Sequence, residues 1–181
     1  MTEPSPSGHK YRRKLPHIRI PGGIYHVRLR IHSSFSYLKS DLDFKIIEDA
    51  LMFVHKKSCI LLAYVIMPNH THMVIQPLPT KASWSAWCDY TEQHRVEDIL
   101  GSIKKFSARR INLRHLRTGE PFWESECFDR VMRNEDDLEK VIDYIHGNPV
   151  RWGLTKRPED YRWTSASTIY SGNKRFRDWF S

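Results

Sequence analysis

Alternation of apolar and polar residues marks the first predicted strand, which follows Ile24. Its two faces carry different residues: Tyr25, Val27, Leu29 and Ile31 on one, and His26, Arg28 and Arg30 on the other. A repeat of two residues is typical of a half-buried strand. We therefore expect the apolar face to enter the core and the basic face to point outward.

Helical spacing replaces this alternation over residues 41–57. Apolar positions there are Ile46, Ile47, Ala50, Leu51 and Val54, and Asp41 is the expected N-cap of the helix. Two apolar runs follow, Ile60–Ile66 and His70–Gln76. The Met67-Pro68-Asn69 segment between them favours a tight turn, so the pattern predicts a β-hairpin.

The second half of the chain repeats this order with one interruption. Residues 79–94 are predicted to form an irregular insertion, and a second helix then follows Val96, Ile99, Leu100, Ile103 and Phe106. A short strand around Cys127–Met132 precedes a third helix, which Asn134 caps and Pro149 ends. The resulting order, β-α-β-β-α-β and a further helix, predicts an α+β fold: a ferredoxin-like split β-α-β unit with helices packed on an antiparallel sheet.

One domain accounts for the length of 181 residues. We expect a basic flexible arm over residues 1–22, the folded domain over 23–170 and a tail over 171–181. Three widely spaced cysteines suggest neither a disulfide framework nor a zinc knuckle. With no apolar run near the roughly 20 residues of a membrane span, we expect a cytoplasmic protein without membrane contact.

The net charge of the chain is +8, and many of its basic residues are grouped in two segments. Residues 1–30 carry seven Lys or Arg against one acid, and residues 104–117 carry six and no acid. Such clusters suit phosphate backbones, although a solvated face or compensation of a helix dipole would also explain each one. The predicted DNA-binding residues are Arg12, Arg13, Lys14, His17, Arg28, Arg30, Lys104, Lys105 and Arg109.

His70 and His72 are candidate metal ligands. In a strand, residues i and i+2 point to the same side, about 6.5–7 Å apart, so two imidazoles can converge on one ion while Thr71 points away. The alternative is that both are ordinary polar strand residues. Their position directly after a Pro-Asn turn favours rigid placement, which a metal site requires.

The third predicted helix presents Tyr144 and Asn148 one turn apart. Both lie beside Val141, at the edge of an apolar stripe formed by Leu138, Val141, Ile142 and Ile145. From there a side chain can reach over the sheet on which the helix packs. A boundary aromatic and a C-terminal cap remain the alternatives for these two residues.

Together these motifs resemble the single-tyrosine HUH transposases, and in particular the REP-associated tyrosine transposases of bacteria. The similarity extends roughly from Arg12 to Ser167 and rests on Met67-Pro68-Asn69-His70-Thr71-His72, Trp123, Phe128-Asp129-Arg130, Arg133 and Tyr144-Ile145-His146-Gly147-Asn148-Pro149-Val150. The resemblance implies that His70, His72 and Asn148 bind Mg²⁺ or Mn²⁺. It also implies that Tyr144 attacks single-stranded hairpin DNA to form a 5′-phosphotyrosine, and that the protein acts as a monomer or a homodimer.

Three features depart from the family pattern. Thr71 replaces the usual bulky apolar residue between the histidines, Glu124 stands where Gln or His is common, and the 79–94 segment is long. Two other functions remain possible at this point: a nucleic-acid-binding protein without chemistry, and a zinc hydrolase. The sequence contains no HExxH motif that would support the zinc hydrolase.

Overall fold

A four-stranded antiparallel sheet organises the chain. The computed structural model describes residues 20–80 and 92–167. Its elements are β1 (Tyr25–Arg30), α1 (Asp41–Val54), β2 (Cys59–Met67), β3 (His70–Pro77), α2 (Val96–Arg114), β4 (Phe128–Val131), α3 (Glu135–His146) and the short α4 (Asn148–Arg151). The strand order β2-β3-β1-β4 confirms the predicted ferredoxin-like arrangement.

Helices cover both faces of the sheet. On one face α1 packs beside α2, and the hydroxyl of Tyr64 in β2 donates to the Glu48 carboxylate of α1 at 3.1 Å. On the other face α3 crosses the sheet, and Arg130 of β4 forms a 2.8 Å ion pair with Asp137 near the start of α3. The α3 face is the one that carries the candidate chemistry.

The alternation of β1 is confirmed on its apolar side, where Tyr25, Val27 and Leu29 are at most 1% exposed. The prediction for the other side is wrong at His26, which is 7% exposed. Because α3 packs over that face, only the Arg30 end of the strand reaches solvent.

Helix ends differ from the predictions in detail. Ser40, rather than Asp41, is the N-cap of α1, and Asp43 accepts hydrogen bonds from the backbone N–H groups of Lys39 and Ser40. Asn134 caps α3 as predicted, its amide oxygen accepting from the Asp137 N–H at 2.9 Å. Pro149 does not end α3, however, because that helix stops at His146 and Pro149 lies in α4.

The α2 helix extends to Arg114, and its buried stripe differs from the predicted one. Phe106 is 37% exposed, while Ser107 takes the buried position and accepts a 3.0 Å hydrogen bond from the Trp123 indole. Because Phe106 lies just outside the core-facing stripe, its side chain does not contribute the predicted core contact.

The outer edge of β2 is covered by residues 161–167, a feature that the sequence pattern did not predict. Thr164 forms a bridge with Val65, and the Ile66 N–H donates to the Trp163 carbonyl at 2.8 Å. The Tyr161 hydroxyl donates to the Ile66 carbonyl at 2.8 Å. These bonds satisfy backbone groups that an open edge strand would leave unpaired.

Several predicted segments fall wholly or partly outside the described residues. They are the arm with Arg12, Arg13, Lys14 and His17, the 171–181 tail, and residues 81–91 of the insertion. The two ends of the insertion are held together, since the Thr80 N–H donates to the Glu92 carbonyl and the His94 N–H to the Leu78 carbonyl. No helix in the described ranges is long and apolar enough to cross a membrane.

Cys59 begins β2 and is completely buried. Its burial raises the pKa of the thiol to about 12. The side chain is therefore a protonated part of the core at neutral pH.

Candidate active site

His70 and His72 occupy the first and third positions of β3. Their ring centroids lie 4.9 Å apart with planes at 88°, and the residues are 9% and 2% exposed. Thr71 pairs with Leu29 of β1 and is buried. Strand geometry therefore places both imidazoles on the α3 face and the threonine on the opposite one.

Each histidine has its Nδ1 atom engaged by a neighbour. His70 Nδ1 lies 2.6 Å from the amide oxygen of Asn69, and His72 Nδ1 lies 2.9 Å from Nε2 of His26. The amide oxygen can only accept, so His70 carries its proton on Nδ1 and leaves Nε2 with a free lone pair. The same holds for His72 when His26 is the acceptor. This is the arrangement that orients histidine ligands in metal sites.

His26 is a member of this cluster that the sequence analysis did not select. It opposes Val74 across the β1–β3 pair, one step along the same face from the Arg28–His72 pair. Its ring stacks on that of His72, with centroids 5.1 Å apart and planes at 24°. The sequence shows only that His26 shares a strand face with Arg28. Its contact with His72 depends on the register between β1 and β3, which cannot be read from either segment alone.

Burial and nearby positive charge keep all three histidines neutral. Burial, followed by the charges of Arg130 and Arg28, lowers the pKa of His26 to about 4. Burial and then arginine charge likewise lower the pKa of His70 to about 4. For His72, burial and then the neighbouring histidines and arginines lower the pKa to about 3. Neutral imidazole is the form that binds metal ions.

Tyr144 of α3 lies over this cluster. Its ring centroid is 5.6 Å from that of His72 and 6.4 Å from that of His26, yet the side chain is 44% exposed. A hydroxyl beside the histidines therefore remains accessible to a molecule approaching from solvent.

The junction of α3 and α4 surrounds Tyr144 with two further polar side chains. The buried Asn148 donates from its amide nitrogen to the Tyr144 carbonyl at 3.0 Å. Arg151 donates to the same carbonyl, and its guanidinium carbon lies 4.4 Å from the centre of the tyrosine ring. A Cβ at position 147 would lie 2.8 Å from Nη1 of Arg151, so Gly147 permits this close approach.

The chemistry of the donor set fits a divalent cation held by nitrogen and oxygen. Among the side chains that the structure describes, no third His, Cys, Asp or Glu completes a ligand set with the two histidines. His26 is unsuited to the role, since its Nε2 points at His72 Nδ1. The amide nitrogen of Asn148 is engaged with the Tyr144 carbonyl, which leaves its carboxamide oxygen as a neutral donor. Two imidazoles and one carboxamide leave coordination positions open.

The predicted DNA-binding residues separate into groups. Arg28 and Arg30 stand opposite His72 and His70 in the strand register, on the candidate site's own face. Lys104, Lys105 and Arg109 belong to α2, on the other side of the sheet. Lys105 and Arg109 are exposed there. The Lys104 ammonium instead donates to the carbonyls of Glu124 and Ser125, and it thereby links α2 to the segment before β4.

Comparison with known proteins agrees with this architecture. The family model described as IS200-like transposase matches residues 20–148, well over half of the chain, and the chain therefore belongs to that family. A Haemophilus influenzae protein described as a REP-associated tyrosine transposase is 22% identical to this chain over 103 residues. The matched region covers 57% of this chain and 56% of that protein. The match thus spans little more than half of the relative's length.

A solved structure shares the fold. It is a REP-associated tyrosine transposase bound to a REP hairpin, with a TM-score of 0.66 and 21% identity, covering 85% of this chain and 82% of that one. At this level of identity the likeness establishes the α+β fold and leaves the function to be argued from the site.

Proposed function

We propose that this protein is a metal-dependent, single-tyrosine DNA transposase that cleaves and rejoins single-stranded hairpin DNA through a 5′-phosphotyrosine link. The observation that carries the proposal is the 5.6 Å separation of the Tyr144 and His72 rings, which brings a nucleophile to a pair of neutral histidines. These side chains come from elements more than 70 residues apart in the chain. A purely structural role would not require an exposed tyrosine beside buried imidazoles.

The metal, Mg²⁺ or Mn²⁺, is assigned to Nε2 of His70, Nε2 of His72 and the carboxamide oxygen of Asn148. When bound, it supplies positive charge to the non-bridging oxygens of the scissile phosphate. The neutral state of both histidines at pH 7 supports this assignment, because a ligand that is already deprotonated need not lose a proton to bind.

The reaction proposed for Tyr144 is a transesterification. The tyrosine hydroxyl gives up its proton and its oxygen bonds to phosphorus, the bond from phosphorus to the 3′ oxygen breaks, and the leaving strand takes up a proton as its 3′ hydroxyl. Phosphodiester energy is retained in the tyrosyl link, so rejoining needs no nucleotide cofactor. The Arg151 guanidinium beside the tyrosine ring is suited to orient the phosphate in line with the attack.

Hairpin DNA is the proposed partner for two reasons. The similar solved protein is bound to a REP hairpin. In addition, Tyr144 stands on a helix over a sheet, where an unpaired strand can approach it more readily than a phosphate inside a regular duplex. The net charge of +8 favours a polyanion of either kind.

A labelled single-stranded hairpin tests the proposal. The protein is incubated with it in Mg²⁺ or Mn²⁺ and the products are separated on a denaturing gel. We expect a covalent adduct that disappears in excess EDTA and in Tyr144→Phe, which removes only the attacking oxygen. Asn148→Ala should cost less cleavage than His70→Ala or His72→Ala, because a neutral amide is the weaker ligand.

Tyr161→Phe provides the matched tyrosine control. The Tyr161 side chain is 9% exposed and its hydroxyl is bonded to the Ile66 carbonyl, so the variant should retain the adduct. A bound but intact strand would indicate a binding protein without chemistry. A cleaved strand without adduct would indicate hydrolysis by water, and adduct formation by Tyr144→Phe would refute the assignment of the nucleophile.

A further inference from the structure

A polar cleft lies beside the candidate active site, at the Arg30 end of β1. It encloses about 340 Å³, and its walls include Arg30, Tyr37, Asn69 and Glu124. This volume is at the lower end of the range for small-ligand sites, so one nucleobase is a suitable occupant and a longer strand is not.

Backbone hydrogen bonds hold the walls in place. The Ile31 N–H donates to the Asn69 carbonyl and the Glu124 N–H to the Arg30 carbonyl, both at 2.9 Å, while Ile31 forms a β-bridge with Trp123. The ammonium of Lys104 donates to the Glu124 carbonyl at 2.9 Å. The polar side chains of the cleft therefore project from a fixed frame, which selective recognition requires.

The cleft is connected to the metal-ligand histidines through two contacts. Asn69, in its wall, accepts the hydrogen bond from His70 Nδ1, and Arg30 stands opposite His70 in the strand register. The inference below rests on the proposed function, in which Tyr144 attacks a phosphate at the histidine pair that the cleft adjoins.

The cleft carries one positive and one negative side chain, those of Arg30 and Glu124. Among the side chains that the structure describes, neither the Arg30 guanidinium nor the Glu124 carboxylate forms an ion pair. An unpaired carboxylate repels phosphate, so Glu124 disfavours nonspecific binding of a strand at this point. A ligand group that donates hydrogen bonds to the carboxylate offsets that repulsion.

We propose that this cleft binds the base of one unpaired guanine next to the scissile phosphate and that Glu124 selects it. Guanine is the only DNA base with two adjacent donors on its Watson–Crick edge, N1–H and N2–H₂, and these match the two oxygens of a carboxylate. Its O6 and N7 acceptors match the forked donors of Arg30. The half-exposed ring of Tyr37, 58% exposed, offers a face for stacking.

A randomised substrate tests the inference. Hairpins with four random nucleotides on each side are given to the protein, and the covalently captured strands are sequenced. The wild type should enrich guanine at one flanking position by about tenfold or more. Glu124→Gln keeps the shape but replaces one acceptor by a donor, and it should lose that enrichment while other positions are unchanged.

Glu139→Gln is the matched control, because Glu139 is an exposed residue of α3 and the variant changes the net charge equally. It should retain the guanine enrichment. In the wild type, replacing the selected guanine by inosine, which lacks the N2 amine, should weaken capture several-fold. In Glu124→Gln the same replacement should have little effect.

A parallel selection for binding alone, made with Tyr144→Phe, separates this inference from the proposed reaction. If the wild type forms no adduct but the strands bound by Tyr144→Phe are enriched in guanine, the proposed reaction is refuted and the guanine site is supported. Adduct formation without guanine enrichment, enrichment of another base, or enrichment that survives in Glu124→Gln would overturn the guanine assignment and leave the reaction standing.

Discussion

The hydrogen bond between His26 and His72 joins two residues that lie 46 positions apart. When the His26 ring accepts from His72 Nδ1, it fixes Nε2 of His72 as the nitrogen that is left for a metal ion. Partners of this kind influence affinity without touching the ion, and their loss typically costs about 10–100-fold in metal binding. His26 is thus a positioning residue for the proposed site.

Replacing His26 by Leu should therefore weaken Mn²⁺ binding about 10–100-fold, measured by titration calorimetry on the folded variant. His26→Gln should largely restore affinity, because a carboxamide oxygen can also accept from Nδ1–H. Equal losses in the two variants would mean that only ring packing matters. The ¹⁵N chemical shifts of His72 provide a second measurement, since they distinguish the two tautomers.

The same histidines predict a pH dependence of stability. Their folded-state pKa values, about 4 for His26 and His70 and about 3 for His72, lie below the ordinary value of 6.5. As pH falls below 6.5, the unfolded chain binds protons that the folded chain does not, so the free energy of unfolding decreases.

For the metal-free protein in EDTA, we expect a loss of about 2 kcal/mol or more between pH 7 and pH 5, measured by urea denaturation. Replacing His26, His70 and His72 together by Gln should reduce this decrease, and the remainder should come from His55 and His146, whose pKa values burial also lowers. A triple variant with the same pH profile as the wild type would show that other groups are responsible.

At the scale of the strand, the buried hydroxyl of Thr71 in β3 lowers the stability of the fold. The residue is 1% exposed, and its hydroxyl has no hydrogen-bond partner in the described parts of the chain. A buried polar group without a partner destabilises the folded state by roughly 1–3 kcal/mol. An apolar side chain of the same shape at this position avoids that cost.

Thr71→Val should accordingly raise the free energy of unfolding by about 1 kcal/mol and leave metal affinity unchanged, since the side chain faces away from His70 and His72. The contrasting variant is Thr164→Val. The Thr164 hydroxyl donates to the Tyr64 carbonyl at 3.0 Å, so this change should lower stability. If both substitutions shift the urea midpoint in the same direction, the hydrogen-bond argument is wrong.

Elements with a regular apolar repeat were predictable, and those held by pairing at a distance were not. The strands, the three main helices and the Asn134 cap follow from local patterns in the sequence. The His26 contact depends on the register between β1 and β3. The covering of β2 by residues 161–167 depends on backbone bonds that leave no apolar period, and the family resemblance, rather than spacing, suggested the roles of Tyr144 and Asn148.

At the scale of the whole molecule, exposed positive charge lies on both sides of the sheet. Arg30 is on the side of the candidate active site, while Lys105 and Arg109 are on α2. If a hairpin reaches α2, Lys105→Ala with Arg109→Ala should weaken its binding at every salt concentration tested. The slope of log K against log salt should become shallower by about 1.4–1.8 for two lost phosphate contacts.

The control is a double substitution of equal charge, Lys57→Ala with Lys156→Ala, at exposed positions outside α2. It should leave the slope nearly unchanged. Fluorescence anisotropy with a labelled hairpin measures both proteins. Equal slopes in the two double variants would indicate that the α2 cluster does not contact DNA.

The buried thiol of Cys59 gives the molecule an internal reporter of opening. Alkylation needs both access and a thiolate, and the folded state withholds both by burying the side chain and raising its pKa to about 12. The peptide containing Cys59 should therefore react with iodoacetamide about 10³-fold or more slowly than a free thiol, by a factor that follows the opening equilibrium. Mass spectrometry resolves that peptide from those of the other two cysteines. Alkylation kinetics thus measure native-state opening at the first residue of β2 in unlabelled protein, and they can be followed while a hairpin is bound.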